Sequence, residues 1–151
     1  MKLKLLKIPD QRLQQRAKPV ENITKEVYEL AEFMKSQLPG TAYGLAANQF
    51  GVPLRIIVFN VNGFEAMLVN PEIVSFKGRH RVLEACMSLD FKQLYVVERP
   101  KILKIKGYDL ERQCEKTIKG HDVLASVLSH EIDHLNGRLI CEMGVPYMPG
   151  S

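Results

Sequence analysis

Residues 22–38, "NITKEVYELAEFMKSQL", place Val27, Leu30, Ala31, Met34 and Leu38 at helical spacing, and Pro39-Gly40 ends the pattern. The spacing predicts an amphipathic helix packed on a core. From residue 54 the period shortens. "LRIIVFNV" (54–61) and "AMLVN" (66–70) are short runs rich in strand formers, and Asn62-Gly63 between them is a hairpin signal. "KILKIKGYD" (101–109) alternates, and "CEKTIKG" (114–120) can pair with it across a polar turn. Helical spacing resumes at about 121 and runs to Asn136-Gly137, where glycine is a natural stop. The strand connections are too short for helical crossovers, so the sheets are expected to be mainly antiparallel. This is an α+β pattern, with the sheets packed around a helix in the C-terminal half. No repeat, low-complexity tract or linker divides the chain, so residues 1–151 are expected to form a single domain.

A chain of 151 residues is long enough to bury a sizeable core, and 46% hydrophobic with 25% charged residues is ordinary for a soluble protein. No apolar run approaches the ~20 residues that cross a bilayer. The start "MKLKLLKIPDQRL" is too short in its apolar part for a secretory signal, which leaves a cytoplasmic location as the expectation. The net charge of +4 favours anionic partners mildly, RNA-rich surfaces included, but a solvated, charge-mixed surface is the better account of it. Three cysteines, an odd number, do not suggest a disulfide framework. They read instead as buried filler, metal ligand or nucleophile.

The helix beginning at 121 carries the chemistry. It contains "SHEIDHLNGR" (129–138), the H-E-x-x-H pattern that sets two metal ligands and a general base on one helix. At about 100° per residue, His134 returns to within ~40° of His130. Val123 and Val127 share that face, so the imidazoles are expected to point inward. Buried imidazoles need partners, and a divalent metal satisfies both together.

A catalytic site of this kind takes three protein ligands, and the helix supplies two. The metzincin continuation is followed as far as Gly137, but Ile140 stands where its third histidine belongs. Glu142, the only acid after His134, is too close for a ligand from a separate following helix. Cys141, Cys86, Cys114, His80 and His121 remain. Cys86 has the best surroundings, in "VLEACMSLD" (82–90), where an apolar lead reaches Glu84 and small Ala85 precedes the thiol. Cys114 lies in a polar hairpin, His121 at a helix start, and His80 between two arginines.

Three separated motifs, in order, give the chain a resemblance to the peptide deformylases. "YGLAANQ" (43–49) resembles the family's G-x-G-L-A-A-x-Q, "EACMS" (84–88) resembles E-G-C-L-S, and "HEIDH" (130–134) matches H-E-x-D-H. "IPDQRLQQRAKPV" (8–20) resembles the family's N-terminal stretch, so the likeness runs from about 7 to 142. The resemblance implies Cys86, His130 and His134 as ligands of one divalent metal, Glu131 as general base and acid, and Gln49 with the backbone N–H of Met87 as oxyanion donors. It implies that Tyr43, Gly44 and Leu45 border the bound peptide, with Val82, Ala85 and Val127 near the pocket for the methionine side chain. The implied reaction removes formate from N-formylmethionyl peptides of nascent chains. Ferrous iron is the family's preferred metal, with zinc, nickel or cobalt as substitutes. A monomer is expected, with no DNA or membrane partner.

Some motif positions differ: Ala42 and Ala85 replace glycines, Met87 replaces leucine, and Asp90 stands where proline is common. The second-residue preference of the substrate is therefore left open. The segment after Glu142 is too short for the long C-terminal helix that contributes to ribosome docking in longer members, so ribosome docking is left open too. Two rivals stand beside this reading. One is a small H-E-x-x-H peptidase, which leaves Gln49 and Cys86 unexplained. The other is a non-catalytic structural metal domain closed by Cys114 or Cys141, which leaves Glu131 unexplained.

Overall fold

The computed structural model describes residues 2–90 and 92–149; Met1, Phe91, Gly150 and Ser151, part of the expected 1–151 span, lie outside the described residues. Helix α1 (Lys25–Ser36) opens on Thr24, whose hydroxyl accepts from the Val27 N–H at 3.3 Å. Strands β1 (Tyr43–Ala46), β2 (Ile56–Val61), β3 (Phe64–Glu84), β4 (Tyr95–Asp109) and β5 (Cys114–His121) follow in that order. Helix α2 (Asp122–Leu135), the short α3 (Ile140–Met143) and β6 (Val145–Pro146) complete the described elements. All strand pairs are antiparallel, in the spatial order β1-β2-β3-β4-β5, with β6 on β4. The α+β expectation holds.

Strand β2 explains the unbroken apolar run at 56–59. Ile57, Phe59 and Val61 face a core that includes Leu128, Ile132 and Leu135 of α2. Ile56 and Val58 face a second core with Leu30, Ala31 and Met34 of α1. This strand is thus covered on both sides, a situation that replaces alternation by a continuous apolar run. The turn to β3 uses Asn62 and Gly63 at φ 52° and 89°, the pair of positive angles that a tight hairpin requires.

Several boundaries depart from the sequence reading. Strand β3 continues fourteen residues past Asn70, through "PEIVSFKGRHRVLE", because its far half is an exposed ribbon held by ladder pairing to β4 rather than by burial. Strand β4 starts at Tyr95, not 101, and carries Pro100 opposite Arg79. Strand β1 was read as a motif and not as a strand. Val123, expected on the inward face of α2, is 51% exposed in its first turn, so the face turns inward only from Val127 onward. A separate helix, α3, does form around Glu142, whose carboxylate accepts from Gln14 and from the Leu139 N–H.

Candidate metal centre

Helix α2, the end of β3 with the segment after it, and β1 with the 3-10 turn Ala47–Phe50 converge on one point. There the Sγ of Cys86 and one ring nitrogen each of His130 and His134 lie within 4.8 Å of one another. All three side chains are buried. Cys86 Sγ is 3.3 Å from His134 Nε2. Tetrahedral bonds of about 2.3 Å to sulfur and 2.1 Å to nitrogen set ligand atoms ~3.5 Å apart, so this spacing is that of two ligands sharing a metal. One soft thiolate and two imidazoles suit a divalent transition metal.

The second nitrogen of His130 is tied down. Its Nδ1 lies 2.8 Å from Glu84 Oε1, and a carboxylate only accepts, so Nδ1 carries a proton and Nε2 is the nitrogen available to a metal. Glu84 in turn receives Arg99 through Nε at 2.7 Å and Nη2 at 2.8 Å. Arg99, 1% exposed, also reaches Asp133 at 2.5 Å and Ser129 Oγ at 3.3 Å. This chain of charges joins β3, β4 and α2 behind the ligands. Asn48 donates to the carbonyl of His134 and so fixes the C-terminal end of α2 against the 3-10 turn.

Burial and neighbouring charges act differently on the two imidazoles. Burial opposes charge on His130, yet Cys86 and Glu84 together hold its pKa well above the ordinary value. Burial and the neighbouring His130 push His134 well below its ordinary value. Burial also disfavours the ionised form of Glu84, but hydrogen bonds from Arg99 and His130 bring its carboxyl down to about 2.

Glu131 is 4% exposed, its Oε1 has no hydrogen-bond partner among the described residues, and burial lifts its carboxyl to about 7. It shares with His130 a cavity of about 320 Å³ that is also lined by Tyr43, Gly44, Gln49 and Cys86. A Cβ on Gly44 would stand 2.6 Å from Glu131 Cγ, so only glycine lets β1 approach the carboxylate this closely. The Oε1 of Gln49 accepts from the Ala46 N–H at 2.9 Å, which turns its amide nitrogen toward Ser88 Oγ and Cys86 Sγ, 3.2 and 3.9 Å away.

The comparisons with known proteins agree. The family model for polypeptide deformylase matches residues 2–146. A peptide deformylase of Thermoanaerobacter pseudethanolicus is 39% identical over 143 residues, covering 94% of this chain and 89% of the relative. The crystal structure of a peptide deformylase from Legionella pneumophila superposes with a TM-score of 0.86 at 36% identity, covering 97% of this chain and 86% of that one. That of Thermotoga maritima gives 0.86 at 30% identity, with 93% and 96% covered. The chain belongs to the peptide deformylase family. Members are metal-dependent hydrolases that deformylate nascent peptides.

Against the deformylase expectation, the structure lines one cavity with Cys86, His130, Glu131, Gln49, Met87, Tyr43, Gly44, Ala85 and Val127, and sets His134 behind it beside Cys86 and His130. Besides His134, Leu45 and Val82 do not line it. Leu45 is wholly buried in the core on the α1 side, because β1 alternates and Gly44, one residue before it, faces Glu131 on the α2 side. Val82 pairs with Val97 in the ladder, and Leu83, 51% exposed, lines the cavity in its place. Of the other ligand alternatives, Cys114 is exposed on β5 and Cys141 packs, half-buried, beside the cluster that contains Cys86. His121 stands at the N-cap of α2 without capping it, and His80 lies opposite Arg99 on β3. Arg99, Thr41 and Ser126 were missed. Arg99 lies in "VERPK", which reads as surface, and Ser126 reads as a neutral helix residue.

No described helix is long and apolar enough to cross a membrane.

Proposed function

We propose that this chain hydrolyses the formamide of N-formylmethionyl peptides, using one divalent metal held by Cys86, His130 and His134. The observation that carries the reading is the meeting of three buried ligand atoms with Glu131, whose Oε1 has no partner among the described residues, beside the cavity that Cys86, His130 and Glu131 line. When bound, the metal supplies Lewis acidity, which lowers the pKa of water from about 16 toward ~7. Glu131 takes the proton of the attacking water and returns it to the departing amine, the two halves of general base and acid catalysis. The amide nitrogen of Gln49, held by its bond to Ala46, donates to the developing oxyanion, and the Met87 N–H is the second donor. A single donor of this kind typically contributes about 10²–10³ in rate. Tyr43 and Gly44 flank the extended peptide at the cavity mouth, while Ala85 and Val127 border the methionine side chain. Ferrous iron is the proposed native metal, supported by the thiolate among the ligands.

The deciding experiment measures metal per chain alongside formate release from a formyl-Met tripeptide, with an end-blocked peptide as control. One metal per chain with formate released and the blocked peptide intact is the expected result. Cleavage of the blocked peptide supports the peptidase instead. Bound metal without hydrolysis of either peptide supports a structural site.

A further inference from the structure

Lysines of three strands gather on the outer face of the sheet. Leu103, Ile105 and Ile118 point into the core that includes Leu128 and Ile132 of α2. Successive side chains of a strand point to opposite faces, so Ile102, Lys104 and Lys106 of β4 and Lys119 of β5 point outward. The register sets Lys104 directly opposite Lys119 on one side and Ser75 on the other. Lys77 stands one row further along, opposite Ile102. Ser75, Phe76, Lys77, Ile102, Lys104 and Lys119 line a groove of about 410 Å³ that shares no residue with the metal cavity.

Two features of the groove are unfavourable without a partner. Like charges directly opposite each other destabilise a strand pair, and Lys104 faces Lys119 in this way. Among the described residues, neither of these lysines nor Lys77 forms an ion pair. The acid in the neighbouring row, Glu72, is met by Lys106 at 3.9 Å. The second feature is Phe76, 57% exposed, with the guanidinium of Arg79 5.5 Å from its ring centroid. Its ring thus stands in water beside cations that have no counter-charge.

A chain of phosphates that carries flat rings satisfies both features. Cations that track a phosphate backbone, with an exposed aromatic on which a base stacks, are the combination that holds single strands. An acidic peptide would answer the lysines but leave the ring exposed, and a flat bilayer surface does not enter a groove. Ser75, in one row with Lys104 and Lys119, adds a hydroxyl that can pair with a ribose 2′-OH, the group by which a protein tells RNA from DNA. We propose that this groove binds a single strand of RNA, with Lys77, Lys104 and Lys119 on its phosphates and Phe76 stacked on a base.

The test is fluorescence anisotropy of a labelled oligouridylate of about twelve nucleotides, titrated with the full chain. Three phosphate contacts correspond to a slope of about −2 for log affinity against log salt, or about a twentyfold loss between roughly 50 and 200 mM. Lys104→Gln combined with Lys119→Gln is expected to bring the slope to about −0.7. Lys18→Gln combined with Lys25→Gln, the same change of net charge elsewhere, is expected to leave it near the wild-type value. Phe76→Ala is expected to lose about tenfold at every salt concentration, and Phe76→Tyr to keep the affinity. Every change is on the surface, and circular dichroism checks that each variant keeps the fold. Absence of binding at low salt, equal affinity for oligodeoxyuridylate, or an equal loss from the Lys18 and Lys25 pair overturns the proposal. Displacement of the RNA by phosphatidylserine vesicles or by polyglutamate at matched charge shows a groove that reads charge alone, and overturns it as well. None of these outcomes bears on the deformylase reading, since the groove and the metal cavity share no residue.

Discussion

Glu84→Gln is the most informative single change, because it alters charge with almost no change in volume. Oε1 of Glu84 serves both His130 Nδ1 and Arg99 Nη2, and Oε2 serves Arg99 Nε. Glutamine has one oxygen to offer for these two positions. With its oxygen in the Oε1 place, its NH2 meets the Arg99 Nε–H donor to donor. With the amide turned over, its NH2 meets Nδ1 of His130 and forces that proton to Nε2, the nitrogen needed for a metal. Both orientations leave a donor unmatched in a site where Arg99 is 1% exposed.

Removing one partner of a buried ion pair typically lowers stability by about 3–5 kcal/mol. Asp133 still faces Arg99, so the lower end of that range, about 3 kcal/mol, is the expectation here. That is a large part of the 5–15 kcal/mol by which domains are usually stable. Metal affinity is expected to fall about 10–100-fold, the usual effect of losing an outer-shell partner of a histidine ligand. Urea unfolding of chelated protein isolates the first effect from the second, and competition with a chromogenic chelator at neutral pH measures the second. A stability change under ~1 kcal/mol together with unchanged affinity would refute the account of Glu84 as the link between Arg99 and His130.

Glu131→Gln is expected to keep full metal and lose nearly all formate release, since every ligand stays in place; wild-type turnover would remove Glu131 from the mechanism. Cys86→Ser is expected to weaken metal binding sharply, while Cys141→Ser and Cys114→Ser leave metal content as in wild type; metal lost from the Cys141 variant alone would move the third ligand downstream. Gly44→Ala is expected to lower stability by about 1–3 kcal/mol and to reduce kcat by displacing Glu131, because the added methyl stands 2.6 Å from its Cγ. Wild-type kcat in that variant would show that β1 and α2 part without disturbing the base.

The readable parts of the fold were those in which burial writes a period into the sequence. Helix α1 is legible because Val27, Leu30, Ala31 and Met34 are all buried against the sheet. The β2–β3 turn is legible because positive φ at two successive residues selects Asn62-Gly63. The far half of β3 has no such period. Ile73, Val74 and Phe76 are about half exposed among lysines and arginines, so hydrogen bonds to β4, not side-chain burial, make it a strand. Strand β1 is four residues long, too short to show any period.

The site divides along the same line. His130, Glu131 and His134 fall within five consecutive residues of one helix, so local geometry brings them together and the sequence reveals it. Cys86 is reached only through the motif around it, since nothing local says that the segment after β3 returns to α2. Arg99 is the harder case. An arginine is buried only when carboxylates meet it, and its partners Glu84 and Asp133 are fifteen and thirty-four residues away, on two other elements. No one of the three residues signals burial alone; only the fold supplies the other two. The consequence is chemical as well as structural. Arg99 balances Glu84, which frees Glu84 to hold the Nδ1 proton of His130, and that makes Nε2 the nitrogen available to a metal beside Cys86 and His134. The ligand set visible in the sequence is thus competent only because of a cation that the sequence conceals.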